Sequence, residues 1–581
     1  MHLPRPKKTL CTRAASTRAM ALVAAGSLTL GALAACSDGS ATAASGGSGT
    51  TAAELTATDN SGRSAQDVLA ENLSSDGTAA LADQTWDTAD EVAVSLDGDS
   101  ASVSATASGD GVTVDGSTVR ITAPGTYRVS GTLDDGQVVV DSSADGVVRL
   151  VLDGADVTSS TGAAIDVQDA DHVSVVLADG STNRLEDATE YADTTSENAA
   201  NAALYSTADL AISGGGALDV VGNANDGITG KDGLVIASGT ISVDAADDAI
   251  RGKDYLVVSG GTIDVTAGGD GLRSDADDDV TAGYVALTGG DVTVDAGSDG
   301  VQGFTDVAIT DGALTVTGSE EGIEAATIAL SGGDADVTST DDGLNATVKE
   351  AEDDTTDETN DDTTDDTADG QQAQPEPPAE GELPQGGGGG GGGAPMDQVV
   401  VGASVTITGG TLRVDAEGDG LDSNGVAAIS GGDVVVEGPT NGGNGALDVA
   451  GDLDVSGGTL LAVGSSGMAQ APAEGSSQGW VALTADATLE AGTEVAVVDA
   501  DGTQVAAITL SKTAQSVVVS GPELADGDTY TLTADGDEVG TATAGEAPAG
   551  GMGGGPGGAA PDGSTDQGGQ TDQSSSGASA S

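Results

Sequence analysis

An acidic residue followed by a small residue and then an aliphatic one recurs at Asp226, Asp248, Asp270, Asp299, Glu321, Asp342 and Asp419. The successive steps are 22, 22, 29, 22 and 21 residues, before a wide gap to Asp419. A unit of that length cannot bury its own apolar face. It must stack on its neighbours, and its acidic residues then stack with it.

One unit, residues 254–274, reads DYLVVSGGTIDVTAGGDGLRS. It divides into three β-type runs, YLVV, TIDVT and GLRS, separated by SGG and AGGD turns. Alternation places Leu256, Val258, Ile263, Val265 and Leu272 on one face, and equivalents recur from Leu210 to Ile323. Three short runs in about 22 residues predict an all-β fold, a three-faced parallel β-helix in which each residue pairs with its equivalent one coil away. A propeller blade needs roughly 40 residues and four strands, and a leucine-rich repeat would show a fixed Asn and helical spacing.

The pattern divides the chain further. Residues 1–35 carry Arg5, Lys7, Lys8, Arg13 and Arg18 and then an apolar run too short to span a bilayer, which reads as a signal peptide. The run ends in Leu33-Ala34-Ala35-Cys36, which resembles a lipobox with Cys36 as the lipidated residue. Residues 36–85 read as a flexible, lipid-anchored tether, 86–207 as irregular opening coils and 208–348 as regular coils. A disordered acidic and Gly-rich insertion occupies 349–397, and coils resume over 398–475. Residues 476–545 change to hairpin spacing and predict a small antiparallel domain that caps the open end of the stack, before a disordered tail over 546–581.

Without the leader the chain keeps 12 Lys and Arg against 95 Asp and Glu, a net charge of 12 − 95 = −83. Such a surface repels nucleic acid and attracts cations. Cys11 lies in the leader, so the mature chain has no second thiol for a disulfide.

Acids at coil spacing repel one another by roughly 3 kcal/mol per pair at about 5 Å and an effective dielectric near 20. Additional carboxylates thicken the column: Asp247, Glu320 and Asp341 precede it, while Glu324 and Asp422 follow by three. Oxygen-only ligands of this kind suit Ca²⁺. The candidate metal ligands are therefore Asp226, Asp247, Asp248, Asp270, Asp299, Glu321, Glu324, Asp341, Asp342, Asp419 and Asp422. Asp-Gly is also the simplest turn signal, so the same residues have a purely structural reading.

Catalytic machinery is sparse. His172 is the one His beyond the leader and reads as a surface or turn residue. Lys231 and Lys253, and Arg251 and Arg273, form two pairs 22 residues apart; they are weak candidates for substrate contact, with compensation of the acidic column the simpler reading. Nine aromatic residues in 581 leave few stacking platforms for neutral sugars.

The strings LYSTADLAISGGGALDV, NDGITGKDGLVI, SEEGIEA, GDGLDSNG, GPTNGGNGALDVAG and SGGTLLAVGSSGMAQAP resemble the carbohydrate-binding domain-containing protein family of bacterial surface lipoproteins, over about Val112 to Ala544. The resemblance implies a right-handed parallel β-helix similar to pectate lyases, several Ca²⁺ ions, and binding of plant cell-wall polysaccharide without established lyase activity. Its acidic turn matches the seven members of the ladder, and Asn444-Gly445-Ala446 departs from it. The expectation is a monomeric surface lipoprotein on the extracytoplasmic face of the membrane. It would bind an anionic polysaccharide such as polygalacturonate, with cellulose as a second candidate, through calcium, with no catalytic residue and no nucleic-acid partner. A calcium-dependent pectate lyase and a non-enzymatic adhesion or envelope protein are the alternatives.

Overall fold

The computed structural model describes residues 60–82, 85–104, 111–196, 198–349 and 399–547. The expected leader, Cys36, the first part of the expected tether, and nearly all of the expected insertion and C-terminal tail lie outside the described residues. The described chain is all-β with parallel strands, and its only helices are short.

Equivalent residues pair one coil apart, as the period predicts. Leu234, Leu256, Val285 and Val307 follow one another in parallel register along a first ladder. Ile241, Ile263, Val292 and Leu314 do so along a second. Ile228, Ile250, Leu272, Val301 and Ile323 form a third. All of these side chains are buried in one continuous core. Each contributes about 1.5–3 kcal/mol of apolar burial, so the core grows with every coil added.

There are three ladders but two sheets. In some coils the first two runs are one strand, such as Tyr255–Ala267, and in others they are two, such as Thr327–Leu330 and Asp334–Ser339; all lie within a 20-stranded sheet, while the third run belongs to a 13-stranded sheet. The SGG segment expected to be a turn does separate two strands at residues 331–333, but at residues 259–261 it is a bend inside a strand, marked by register shifts at Val258/Ser259 and Ser259/Thr262. Its second glycine makes the bend possible. Gly290 and Gly312 have φ of 90°, and a Cβ on Gly312 would lie 2.6 Å from the Gly290 carbonyl oxygen. Only glycine meets both demands. The seven residues that lengthen one step of the acidic period fall in the loop between Leu272–Ser274 and Tyr284–Ala296, and Tyr255 still pairs with Tyr284.

Both ends of the stack turn antiparallel. At the start, Val92–Gly98 pairs with Ser100–Val103 as a hairpin and runs parallel to Gly125–Leu133. At the end, Leu453–Gly464 pairs antiparallel with Ala514–Ser520, which also pairs with Trp480–Leu489. A four-stranded antiparallel sheet packs there, its Val495, Val497, Tyr530 and Leu532 sharing an apolar cluster with Val463, Val481, Leu483 and Val517 of the larger sheet.

Part of the expected tether is not a tether. Residues 60–82 include helices Ala65–Leu69 and Asp76–Ala82 and lie across the outside of the first ladder. Val68 and Ala65 pack with Ala308 and Ala329, and Leu69 and Ala79 pack with Val235, Tyr255 and Tyr284. Polar contacts fix the direction. Gly62 N donates to Thr406 Oγ1, Asn60 and Asn72 donate to Asp306, Thr78 Oγ1 lies 2.9 Å from Tyr255 Oη, and Ser174 Oγ donates to the Leu81 carbonyl. The strap therefore runs back across the coils from late to early. Alanines and valines alternating outward on the first ladder supply the apolar surface it covers.

Candidate functional site

Every acidic residue of the ladder stands at the entrance to the third run, and the residue after it, Ala249 in one coil and glycine in the other six, is kept small by packing. A Cβ on Gly271 would lie 2.3 Å from Val294 Cγ1, and one on Gly322 would lie 2.2 Å from Val337 Cγ1. The carboxylates serve the backbone of the next coil. Asp248 Oδ1 accepts from Asp270 N at 2.8 Å, and Asp270 Oδ1 from Asp299 N at 2.9 Å. Asp342 Oδ1 accepts from Asp419 N at 2.6 Å, and Asp419 Oδ1 from Gly445 N at 2.5 Å. The position after Asp419 is thus Gly445, one residue beyond the Asn444 with which the sequence pattern marks its end.

The outward residue three positions on builds a second ladder. In register it reads Thr229, Arg251, Arg273, Gln302, Glu324, Asn345, Asp422 and Asp448. The two ladders meet differently along their length. At the early coils Arg273 Nη1 lies 3.3 Å from Asp248 Oδ2 and 3.4 Å from Asp270 Oδ2. Arg251 pairs not with the column but with Asp275, which the long loop delivers. Burial alone would raise the Asp275 carboxyl, yet Arg251 and Arg273 outweigh it and hold it below the usual range.

Past Arg273 the compensation thins. Asp299 Oδ2 accepts from Gln302 Nε2 at 2.9 Å, both Glu321 oxygens accept from Asn345 Nδ2 at 3.0 Å, and Glu324 Oε2 lies 2.6 Å from Lys349 Nζ. Burial, then the Asp248 charge, pushes Asp270 up to about 7. Burial, then neighbouring acids led by Asp270 and Glu324, holds Asp299 well above the ordinary range. Burial and Glu324 push Glu321 up to about 8, and burial and Asp342 do the same to Asp422.

Carboxylate oxygens of Asp299, Glu321 and Glu324 lie within 4.8 Å of one another, the one such group of three among the described residues. Asn345 Oδ1, one coil from Glu324, and Asp270 Oδ2, one coil from Asp299, are buried and accept no hydrogen bond among the described residues. Hard oxygen donors at this separation fit Ca²⁺, whose ligands sit at about 2.3–2.6 Å from the ion.

The other predicted ligands are not drawn into this group. Asp226 Oδ2 accepts from Asn201 Nδ2 and Thr229 Oγ1, and Asp248 and Asp270 face Arg273. Asp247 is half-buried and Asp341 exposed on the turn ahead of the column, and Asp342, Asp419 and Asp422 lie on later coils. Of the basic candidates, Arg251 and Arg273 are ion-paired. Lys231 is half-buried, and burial followed by Arg251 lowers its ammonium pKa. Lys253 is half-buried and donates its backbone amide to Gly230 O. His172 opens the strand His172–Leu177 and is part-exposed, with Nδ1 3.5 Å from Asp209 Oδ2.

Four functional neighbours escape the pattern that found the acids. Gln302 and Asn345 share the period of the second ladder, but amides among charged equivalents carry no signal by charge alone. Asp275 and Lys349 lie outside the repeating runs, so only the folded chain brings them in.

The fold and the site define an all-β stack of parallel coils with a buried acidic ladder, partly balanced by arginine, on its outer face. Residues 115–364 match the model of the carbohydrate-binding domain-containing protein family, so the expected resemblance is found over that part of its expected range. A carbohydrate-binding domain-containing protein of Acetivibrio thermocellus is 42% identical over 137 residues, which is 23% of this chain and 48% of the relative. The chain thus spans about half the length of the curated relative it matches. A solved polysaccharide lyase-like protein from C. thermocellum, a gadolinium derivative, is 34% identical, covering 40% of this chain and 94% of its own, with a TM-score of 0.38. Among the described residues no helix is long and apolar enough to cross a membrane.

Proposed function

We propose that the protein is a calcium-dependent polysaccharide-binding lipoprotein, a monomer held by lipid at Cys36 on the extracytoplasmic face of the membrane. In this reading the three ladders are the faces of a right-handed parallel β-helix, and the third presents the binding surface. The observation that carries it is the convergence of Asp299, Glu321 and Glu324 within 4.8 Å, beside coils bearing Arg251 and Arg273.

A bound Ca²⁺ supplies two positive charges where burial has made carboxylates costly, and open coordination positions for a sugar carboxylate. The chain's own residues do the rest. Asp299, Glu321 and Glu324 hold the ion, Gln302 and Asn345 orient Asp299 and Glu321, and Arg251, Arg273 and Lys231 add positive charge on the earlier coils. This favours an anionic glycan of the plant-wall type, such as polygalacturonate, over neutral cellulose, for which aromatic platforms are few. The match to a family named for carbohydrate binding supports the same class of partner.

Titration calorimetry with polygalacturonate, with and without chelator, tests the reading. Binding that chelator abolishes is expected, and no binding in either condition overturns it. Accumulation of ultraviolet-absorbing unsaturated uronate would instead make the protein a lyase. Surface attachment that soluble glycan fails to compete would make it an adhesion protein.

A further inference from the structure

The acidic group contains a cation of its own. Lys349 Nζ lies 2.6 Å from Glu324 Oε2, with the lysine side chain 30% exposed and the glutamate 10%. Asp299 also acts on the Lys349 charge, and Lys349 in turn on Glu321, so the ammonium lies within electrostatic reach of all three acids that converge on the candidate ion position. Gln302 Nε2 bridges Asp299 Oδ2 at 2.9 Å and Glu324 Oε2 at 3.4 Å, so Glu324 Oε2 already faces two donors. Beyond the leader the chain has only 12 Lys and Arg, and this one stands at the acids that the two arginines do not reach.

A divalent ion ligated by Glu324 at about 2.3–2.6 Å would stand within a few ångströms of the ammonium on the same carboxylate. Like charges at that distance in a half-buried site repel strongly. The lysine must then swing out, which its four-carbon stem and partial exposure permit.

We propose that Lys349 is a tethered counter-cation of the Asp299–Glu321–Glu324 group that a divalent cation must displace, so that it sets the cation affinity of the site. The proposal rests on the calcium reading above. Lys349 keeps the ion-free coils from carrying an uncompensated cluster of acids, and the same contact weakens ion binding. Without it the site holds the ion more tightly and the ion-free fold is weaker.

Ca²⁺ calorimetry and Tb³⁺ luminescence on the whole chain, comparing wild type with Lys349→Met, Lys349→Arg and Glu324→Gln, test this. Lys349→Met is expected to bind about tenfold more tightly, within the usual range of coupling between two linked events. It should melt lower than wild type in chelator and level with or above it in Ca²⁺. Lys349→Arg, which keeps the charge, should bind like wild type, and Glu324→Gln should weaken binding. Wild type binding as tightly as Lys349→Met overturns the role of Lys349 and leaves the calcium reading standing. No ion uptake by wild type, Lys349→Met or Lys349→Arg overturns the calcium reading itself. Lys349→Gln, which removes the charge but can still donate a hydrogen bond to Glu324, preserves the test if Lys349→Met does not fold: it too should bind the ion more tightly than wild type, and binding equal to wild type overturns the role of Lys349.

Discussion

Asp270 Oδ1 accepts the backbone amide of Asp299 at 2.9 Å, while its other oxygen faces Arg273. One carboxylate thus joins two coils through its inner oxygen and meets the outer ladder through the other. That division of labour separates what an amide could replace from what only an acid can do.

Asp270→Ala should lower stability by about 1–3 kcal/mol, because the Asp299 amide is left buried without an acceptor. Asp270→Asn keeps an acceptor oxygen and is expected to cost less than about 1 kcal/mol, since burial already holds this carboxyl near 7. Urea unfolding of both variants in chelator measures the difference, and equal losses would remove the backbone role.

The ion-free protein should be more stable at pH 5 than at pH 8. Unfolded Glu titrates near about 4.3, whereas burial and Glu324 push folded Glu321 up to about 8. Between those values the folded chain keeps a proton that the unfolded chain has released, so stability is lost as pH rises. Asp422, pushed up to about 8 by burial and Asp342, acts in the same direction. Melting temperature followed across this window in chelator should fall with pH, and saturating Ca²⁺ should flatten the fall.

Gly312→Ala should destabilise by about 2 kcal/mol or more, combining left-handed backbone strain with a Cβ 2.6 Å from the Gly290 carbonyl oxygen. Gly154 shares a positive φ of 73° but has nothing within 4 Å of its would-be Cβ. Gly154→Ala should therefore cost only about 1 kcal/mol. Paired denaturant curves separate strain from coil-to-coil contact.

Val68→Asp would place an unpaired charge between Ala308 and Ala329. Release of residues 60–82 from the sheet is the expected result, with the coils still folded. Limited proteolysis should cut this segment faster while far-ultraviolet circular dichroism stays that of β-structure. Global loss of β-signal would show that the strap is needed to fold the stack.

Much of the coil interior was legible without coordinates. Leu256, Val258, Ile263, Val265 and Leu272 are buried as their alternation predicts, because parallel stacking copies one pattern from coil to coil. The strap was not legible: residues 60–82 are rich in small and polar residues, like a tether, and their few apolar anchors gain meaning only opposite Val235, Tyr255 and Ala308. The SGG segment reads as a turn, because local turn chemistry does not reveal that the strand runs on through Gly261 and that pairing resumes at Thr262.

The sequence alone determined the period, the buried face and the existence of an acidic ladder, since these follow from residues that every coil repeats. Only the tertiary structure decided which acids are neutralised by Arg273, which are tied to a neighbouring amide and which three converge at Asp299, Glu321 and Glu324. Charge balance depends on distances between chemically different residues on adjacent coils, including Asp275 and Lys349 from outside the repeat, and no period encodes those distances.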